Sequence, residues 1–254
     1  MAAFTGNGAY CYANGLHMTL LAAGADPTTL PAPGFLECAT AMPFGRTYRP
    51  DRSEFWPSAP GWSPERGLGP AIAALGWWCE TTHGGTSTEA LTRLRDGLRH
   101  GLVLLGPVDY GHLSYAPGHE HGAGVDHYIM ALALEGEHLV VHDPAGFPYA
   151  VLPLNDLLAA WRAERIGYKQ GPYSLRANFR QEHQVPRRAA IERTLTLARE
   201  IVRADASEPG EYGGSDALAR LAADLREEVP AALERHLLGF ALPTAARRAV
   251  DAAE

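Results

Sequence analysis

Two apolar runs around one acidic turn constrain this chain more than any other feature. His127-Tyr-Ile-Met-Ala-Leu-Ala-Leu134 and His138-Leu-Val-Val-His142 flank Glu135-Gly136-Glu137, a pattern that predicts an antiparallel hairpin. Asp143-Pro-Ala-Gly146 closes the second run. A hairpin sets its open ends side by side, so His127 and Asp143 are neighbours by topology. Whether they share a face depends on register, because side chains alternate along a strand. Same-face placement needs paired positions whose numbers add to an even value, and a two-residue turn at Glu135-Gly136 gives an odd one. The expectation is therefore a three-residue turn through Glu135-Gly136-Glu137, or a bulge, with Gly136 free to take positive φ.

Around this hairpin the pattern is mixed. Tyr12, Leu16 and Leu20 recur at helical spacing between Ala9 and Gly24, which predicts a buried helix with Cys11 in its first turn and Gly24 just past its end. Asp26 to Arg66 is dense in Pro, Gly, Trp and Phe, the composition of an ordered but irregular excursion. Gly76 to Thr82 suits a strand. Thr86-Ser-Thr-Glu89 offers a capping box to a helix ending near His100, with Leu91, Leu94 and Leu98 inward. Leu102 to Leu105 reads as a short buried strand stopped by Gly106-Pro107, and Tyr110 to Gly124 as a loop. A strand from Tyr149 to Leu154 and a helix opened by Asn155 or Asp156, containing Leu158 and Trp161, complete a first domain over residues 1–182. Residues 183–254 read as a helical extension. One helix there carries Ile191, Leu195, Leu197 and Ile201, and the next carries Leu218, Leu221 and Leu225 behind Ser215 as N-cap. Pro230 and Pro243 then start two short helices. The fold class is α+β.

At 254 residues and 46% hydrophobic content the chain can bury one good core, or one core plus a smaller helical appendage. A net charge of −7 without a basic stripe argues against nucleic acid as a partner. No window approaches the roughly 18 apolar residues of a membrane span, and the first residues lack a secretory pattern, so the expectation is a cytoplasmic chain with no membrane partner. The three cysteines, Cys11, Cys38 and Cys79, form no pair at metal-site spacing and read as free thiols. A thiol becomes a nucleophile when a helix N-terminus and an imidazole stabilise its thiolate, and the imidazole needs a carboxylate or amide to orient it. Cys11, His127 and Asp143 supply those three groups. Each has an ordinary reading as well: a packed cysteine, a structural histidine, a turn aspartate. The joint arrangement favours the chemical one. His112, His119, His121, His127 and His142 raise a metal reading, but their spacing matches no zinc pattern, and no metal or cofactor is expected. Cys38 and Cys79 read as structural.

Tyr10-Cys11-Tyr-Ala-Asn14 opening a helix, Gly106-Pro-Val-Asp109 after a strand, Asp126-His-Tyr128, and Val141-His-Asp-Pro-Ala-Gly-Phe147 together carry a resemblance. Over roughly residues 5–180 the chain resembles the N-terminal domain family of the butirosin biosynthesis protein H, itself similar to papain-like and C39-type cysteine peptidases. The resemblance implies a papain-like fold in which a nucleophile helix packs on an antiparallel sheet. It also implies a Cys-His-Asp site that receives an acyl group as a thioester. Carried over by residue, Cys11 is the nucleophile, His127 the general base and acid, and Asp143 the orienting group, with Tyr10, Asp109 and Tyr128 as substrate contacts. The implied donor is an acyl carrier protein and the acceptor a small-molecule amine; a hydrolase or peptidase is the alternative, and a non-catalytic domain the third. The resemblance departs at the oxyanion hole, where Thr5 stands six residues before the cysteine, and Asn7 with the Cys11 amide is the expected substitute. The helical tail is read as a lid, a carrier dock or the surface of a homodimer.

Overall fold

The computed structural model describes residues 2–6, 9–204, 206, 208–227 and 229–253. Its elements are α1 (Cys11–Ala22), α2 (Pro33–Ala39), β1 (Thr47–Arg49), β2 (Glu54–Trp56), α3 (Pro64–Ala74), β3 (Trp77–Thr82), α4 (Ser87–Leu98), β4 (Val103–Asp109), β5 (Asp126–Glu135), β6 (His138–Asp143), β7 (Phe147–Pro153), α5 (Leu154–Arg162), β8 (Leu175–Gln181), α6 (Arg187–Val202), β9 (Tyr212–Gly213), α7 (Gly214–Asp224), α8 (Ala231–His236) and α9 (Leu242–Asp251). The paired strands are antiparallel, so the chain is an α+β protein. No helix among the described residues is long and apolar enough to cross a membrane. Two compact units form, one from Met1–Pro33 and Gly76–Gln184, the other from Gly34–Leu75 and Val185–Glu254. The linear division at 182/183 is thus redrawn: the chain leaves the first unit after residue 33 and returns to it at residue 76.

The first unit is built on a six-stranded sheet of order β3-β8-β4-β5-β6-β7. Apolar side chains of β4, β5 and β6, among them Leu105, Ile129 and Val141, form one core with Leu94 of α4 and with Leu157 and Trp161 of α5. Helix α1 lies against β4 and β5. Its Gly15 permits that approach, since a Cβ there would stand 2.7 Å from Leu104 Cδ1. The Thr86–Glu89 capping box forms as expected, with Glu89 accepting from the Thr86 N–H at 2.7 Å. One expectation changes, and one strand was not expected. Strand β4 does not stop at Gly106-Pro107 but passes through an irregular step there and re-pairs Val108 with His127 and Asp109 with Asp126. Gly106 makes room, because a Cβ would sit 2.2 Å from the Tyr128 ring. Strand β8 joins the sheet without a clear sequence signal: its inward Leu175 and Ala177 alternate with Arg176, Asn178 and Arg180, a weak apolar pattern, and Asn178 takes a left-handed φ of 56°.

The hairpin meets its expectation by one of the two routes. The turn is a two-residue one, with Glu135 paired to His138 and Gly136 at φ 57°, so the three-residue turn does not form. Left alone, that register would put His127 and Asp143 on opposite faces. Between Ala131 and Ala133 the register shifts, leaving Leu132 as the extra residue, and Ala131 pairs with Val141 and Met130 with His142. The bulge restores the parity that same-face placement requires.

The second unit contains the excursion, which is more regular than its composition suggests: α2, β1, β2 and α3 lie within it. Strand β1 stands between β2 and β9. Tyr48 and Phe55 are buried with Ala217, Leu221, Leu233 and Leu237, so these aromatics belong to this unit's own core. Arg248 meets the buried Glu37 at 2.6 Å and also donates to the Pro57 carbonyl. In α6 the buried face is Ala190, Thr194, Ala198 and Ile201, while Ile191 and Leu195 are exposed. Small side chains on that face let α6 lie close to α3, where Arg193 donates to the carbonyls of Ala73 and Ala74. Ser215 is not the N-cap of α7; Gly213 is, and Ser215 falls inside the helix. Pro230 is the N-cap of α8, and Pro243 lies in the first turn of α9 after a π-helical turn.

Candidate active site

The site begins with how the chain enters α1. Tyr10 sits at φ 54° and ψ 57°, a left-handed conformation that non-glycine residues seldom adopt, and the helix starts at the next residue, Cys11. The buried Asn14 secures this corner, its Nδ2 donating to the Tyr10 carbonyl at 3.1 Å and to the Ala9 carbonyl. Upstream, residues 2–6 run as a strap over the neighbours of Asp143. The Ala2 carbonyl accepts from Tyr149 Oη at 3.1 Å and from His142 Nε2 at 3.4 Å, the Phe4 ring meets His142 edge-on, and Thr5 Oγ1 lies 3.3 Å from His17 Nδ1. His142 Nδ1 accepts the Tyr149 N–H, which fixes the proton on Nε2. The sulfur of Cys11 therefore stands at a helix N-terminus, partly exposed, on a tethered segment.

His127 and Asp143 meet across the hairpin mouth. Nε2 of His127 donates to Oδ1 of Asp143 at 2.6 Å, with the histidine side chain 10% exposed and the aspartate fully buried. An ionised carboxylate only accepts, so Nε2 carries the proton. Nδ1 is then the ring nitrogen left for the hydrogen bond that His127 makes with Cys11. Burial alone would lower the His127 pKa. The charge and hydrogen bond of Cys11 and those of Asp143 outweigh it and raise the pKa to about 10. Asp143 shows the mirror case: burial pushes its pKa up, and hydrogen bonding to His127, the His127 charge, the Ala145 N–H and the Tyr115 hydroxyl hold it below the ordinary value. The Ala145 amide donates to Oδ1 at 2.7 Å and Tyr115 Oη to Oδ2 at 2.8 Å. The Tyr110 ring stands perpendicular to the imidazole with centroids 5.3 Å apart.

The structure thus brings Cys11, His127 and Asp143 together. The remaining expected contacts land differently. Asp109 is buried, and its Oδ1 accepts the N–H groups of Gly111 and Gly124, both at 2.9 Å, so it fastens a loop rather than facing a ligand. Tyr128 is fully buried with its ring edge-on to Tyr12, and the neighbouring Tyr168 donates to Asp126 at 2.6 Å. Those two substrate roles give way to scaffold roles, because neither side chain offers surface to a ligand. Tyr10 is buried as well and forms the left-handed corner before the nucleophile. Asn7 lies outside the described residues. Cys38 is buried, and burial with the Glu37 charge pushes its thiol up to about 12; burial also raises Cys79. No group of three or more His, Cys, Asp or Glu among the described residues could hold a metal ion. Nδ1 of His119 lies 2.8 Å from the Gly111 carbonyl. Asn14 and Tyr115 join the site without having been expected there. Asn14 stands inside the Tyr-Cys-Tyr-Ala-Asn motif, whereas nothing in the sequence links Tyr115 to a residue 28 positions away.

Two likenesses to known proteins bear on the chain. The YobF C-terminal domain family matches residues 207–254, within the second unit. A protein of Bacillus subtilis (strain 168) named "Uncharacterized protein YobF" is 31% identical over 172 residues, covering 67% of this chain and 54% of the relative. The chain therefore spans about half the length of that relative, and its residues 207–254 are similar to the C-terminal domain of the same name.

Proposed function

We propose that this protein is a cysteine-dependent acyl-transfer enzyme, working through a thioester on Cys11 within a papain-like first unit. The observation that carries the reading is the pair of contacts made by one imidazole: Nε2 on buried Asp143 at 2.6 Å and a hydrogen bond to the Cys11 thiol. A histidine held on one side by a carboxylate and bonded on the other to a thiol at a helix N-terminus is the arrangement thiol catalysis requires. In the first step the Cys11 sulfur, its proton already held on Nδ1 of the His127 imidazolium, attacks the acyl carbonyl carbon. The tetrahedral oxyanion faces the first-turn amides of α1, an interaction worth about 3 kcal/mol of barrier. Collapse breaks the bond to the leaving group, which takes the proton from His127, and an S-acyl Cys11 remains. An incoming amine then loses its proton to His127, attacks the thioester and regenerates the thiol. Water in place of the amine gives hydrolysis by the same steps.

The resemblance to the butirosin family favours transfer to a small-molecule amine from a carrier-type thioester, in a cytoplasmic enzyme of secondary metabolism. Incubation with a simple acyl N-acetylcysteamine thioester tests this. The expected result is an acyl adduct mapping to Cys11 by peptide mass spectrometry, discharged faster by amines than by water. Discharge by water alone identifies a hydrolase, and no adduct from any donor leaves a binding domain.

A further inference from the structure

The segment between β4 and β5 is tied down at both ends and across its middle. The Asp109 carboxylate accepts from Gly111 and Gly124, the two ends of the loop, and the Tyr110 N–H donates to the Val125 carbonyl at 2.9 Å. His119 Nδ1 bonds to the Gly111 carbonyl within the loop, and Ser114 donates to Asp156 of α5 at 2.6 Å. So many tethers on a polar, glycine-rich stretch hold its aromatic residues in fixed places. Two of those places are the imidazole of His127, under the Tyr110 ring, and the outer oxygen of Asp143, which receives the Tyr115 hydroxyl.

We propose that Tyr115 is a positioning residue of the Cys11–His127–Asp143 set, its hydroxyl holding Oδ2 of Asp143 so that Oδ1 stays aimed at His127. Asp143 is fully buried, so its two oxygens depend on the donors the protein supplies. His127 and the Ala145 amide both bond to Oδ1; at Oδ2 the structure gives the Tyr115 hydroxyl. Without it that buried oxygen loses its Tyr115 donor, and the carboxylate gains freedom to turn about its Cβ–Cγ bond. The phenol suits this role, because burial and the Asp143 charge push its pKa far above the ordinary range and it remains an O–H donor at every working pH. Its ring packs on Phe147 with centroids 5.6 Å apart, a contact a phenylalanine would keep.

The inference rests on the catalytic reading of the three residues, and the experiment separates the two. Alkylation of Cys11 by iodoacetamide is followed by peptide mapping from pH 4 to 9 in the full chain, in Tyr115→Phe and in His127→Ala. Tyr115→Phe is expected to lose about tenfold in rate at pH 5, where Asp143 now protonates more readily, and to stay within about twofold at pH 8. A Tyr115→Phe profile superimposable on that of the parent, with His127→Ala slowed, overturns the positioning role and leaves the catalytic reading intact. A His127→Ala profile equal to that of the parent overturns both. Should Tyr115→Phe fail to fold by far-UV circular dichroism, 3-fluorotyrosine at position 115 strengthens the same donor without removing it. The acid limb then moves to lower pH, and an unmoved limb overturns the proposal.

Discussion

His127 is held between two partners, and that has a consequence for stability. Its folded pKa of about 10 lies above the ordinary 6.5, so the stabilisation it contributes is complete below pH 6.5 and is lost as pH rises through 10. Asp143 runs the other way. Its folded pKa is depressed, so its contribution is present above the ordinary carboxylate range and disappears as pH falls through the lowered value. Urea midpoints measured from pH 6 to 10.5 should therefore decline for the parent chain, and the decline should flatten in His127→Gln. At this scale the sequence is most informative where chemistry is tied to residue type. A thiol, an imidazole and a carboxylate at element ends can be read directly. Asp109 and Tyr128 cannot, since the same side chains serve scaffold and ligand alike and only burial tells them apart. Tyr115 reaches Asp143 through a loop whose path is set by scattered side-chain and backbone hydrogen bonds with no periodic pattern.

Strand β5 makes the parity problem concrete. Its two-residue turn is what Gly136 favours, and that turn alone would separate His127 from Asp143 by the thickness of the sheet. The extra residue, Leu132, reverses this for every position nearer the open end. Deleting Leu132 should uncouple the pair while leaving the turn in place. The expected outcome is a Cys11 alkylated at the His127→Ala rate, with a far-UV circular dichroism spectrum close to that of the parent. A deletion variant with parent-like Cys11 reactivity would show that register is not what sets the site. Helix-forming segments are largely legible where capping and apolar spacing agree, as at Thr86–Glu89 and in α1. Helix α6 lies where its periodicity places it but turns a different face inward, because alanine and threonine line the buried side while Ile191 and Leu195 point outward. Leucine stripes mislead wherever close helix packing selects small side chains.

Across the whole molecule the two units interrupt one another in sequence, the second using residues 34–75 that a linear reading assigns to the first. No local pattern announces this, since the burial of Tyr48 and Phe55 is completed by residues some 160 or more positions later, Ala217 and Leu221 among them. A chain ending after Gln184 should therefore expose the apolar side of β1 and β2, bind a hydrophobic dye and aggregate on gel filtration, whereas replacing 34–75 by a short linker in that truncation should suppress both effects. Equal behaviour of the two truncations would contradict the division. Activation of Cys11 by one imidazole for acyl transfer is tested most directly by the single-turnover rate at which Cys11 takes an acyl group from a thioester at pH 7. The predicted result is an adduct on Cys11 that forms about a hundredfold more slowly in His127→Ala; formation at the same rate in both proteins, or an adduct on another residue, would contradict it.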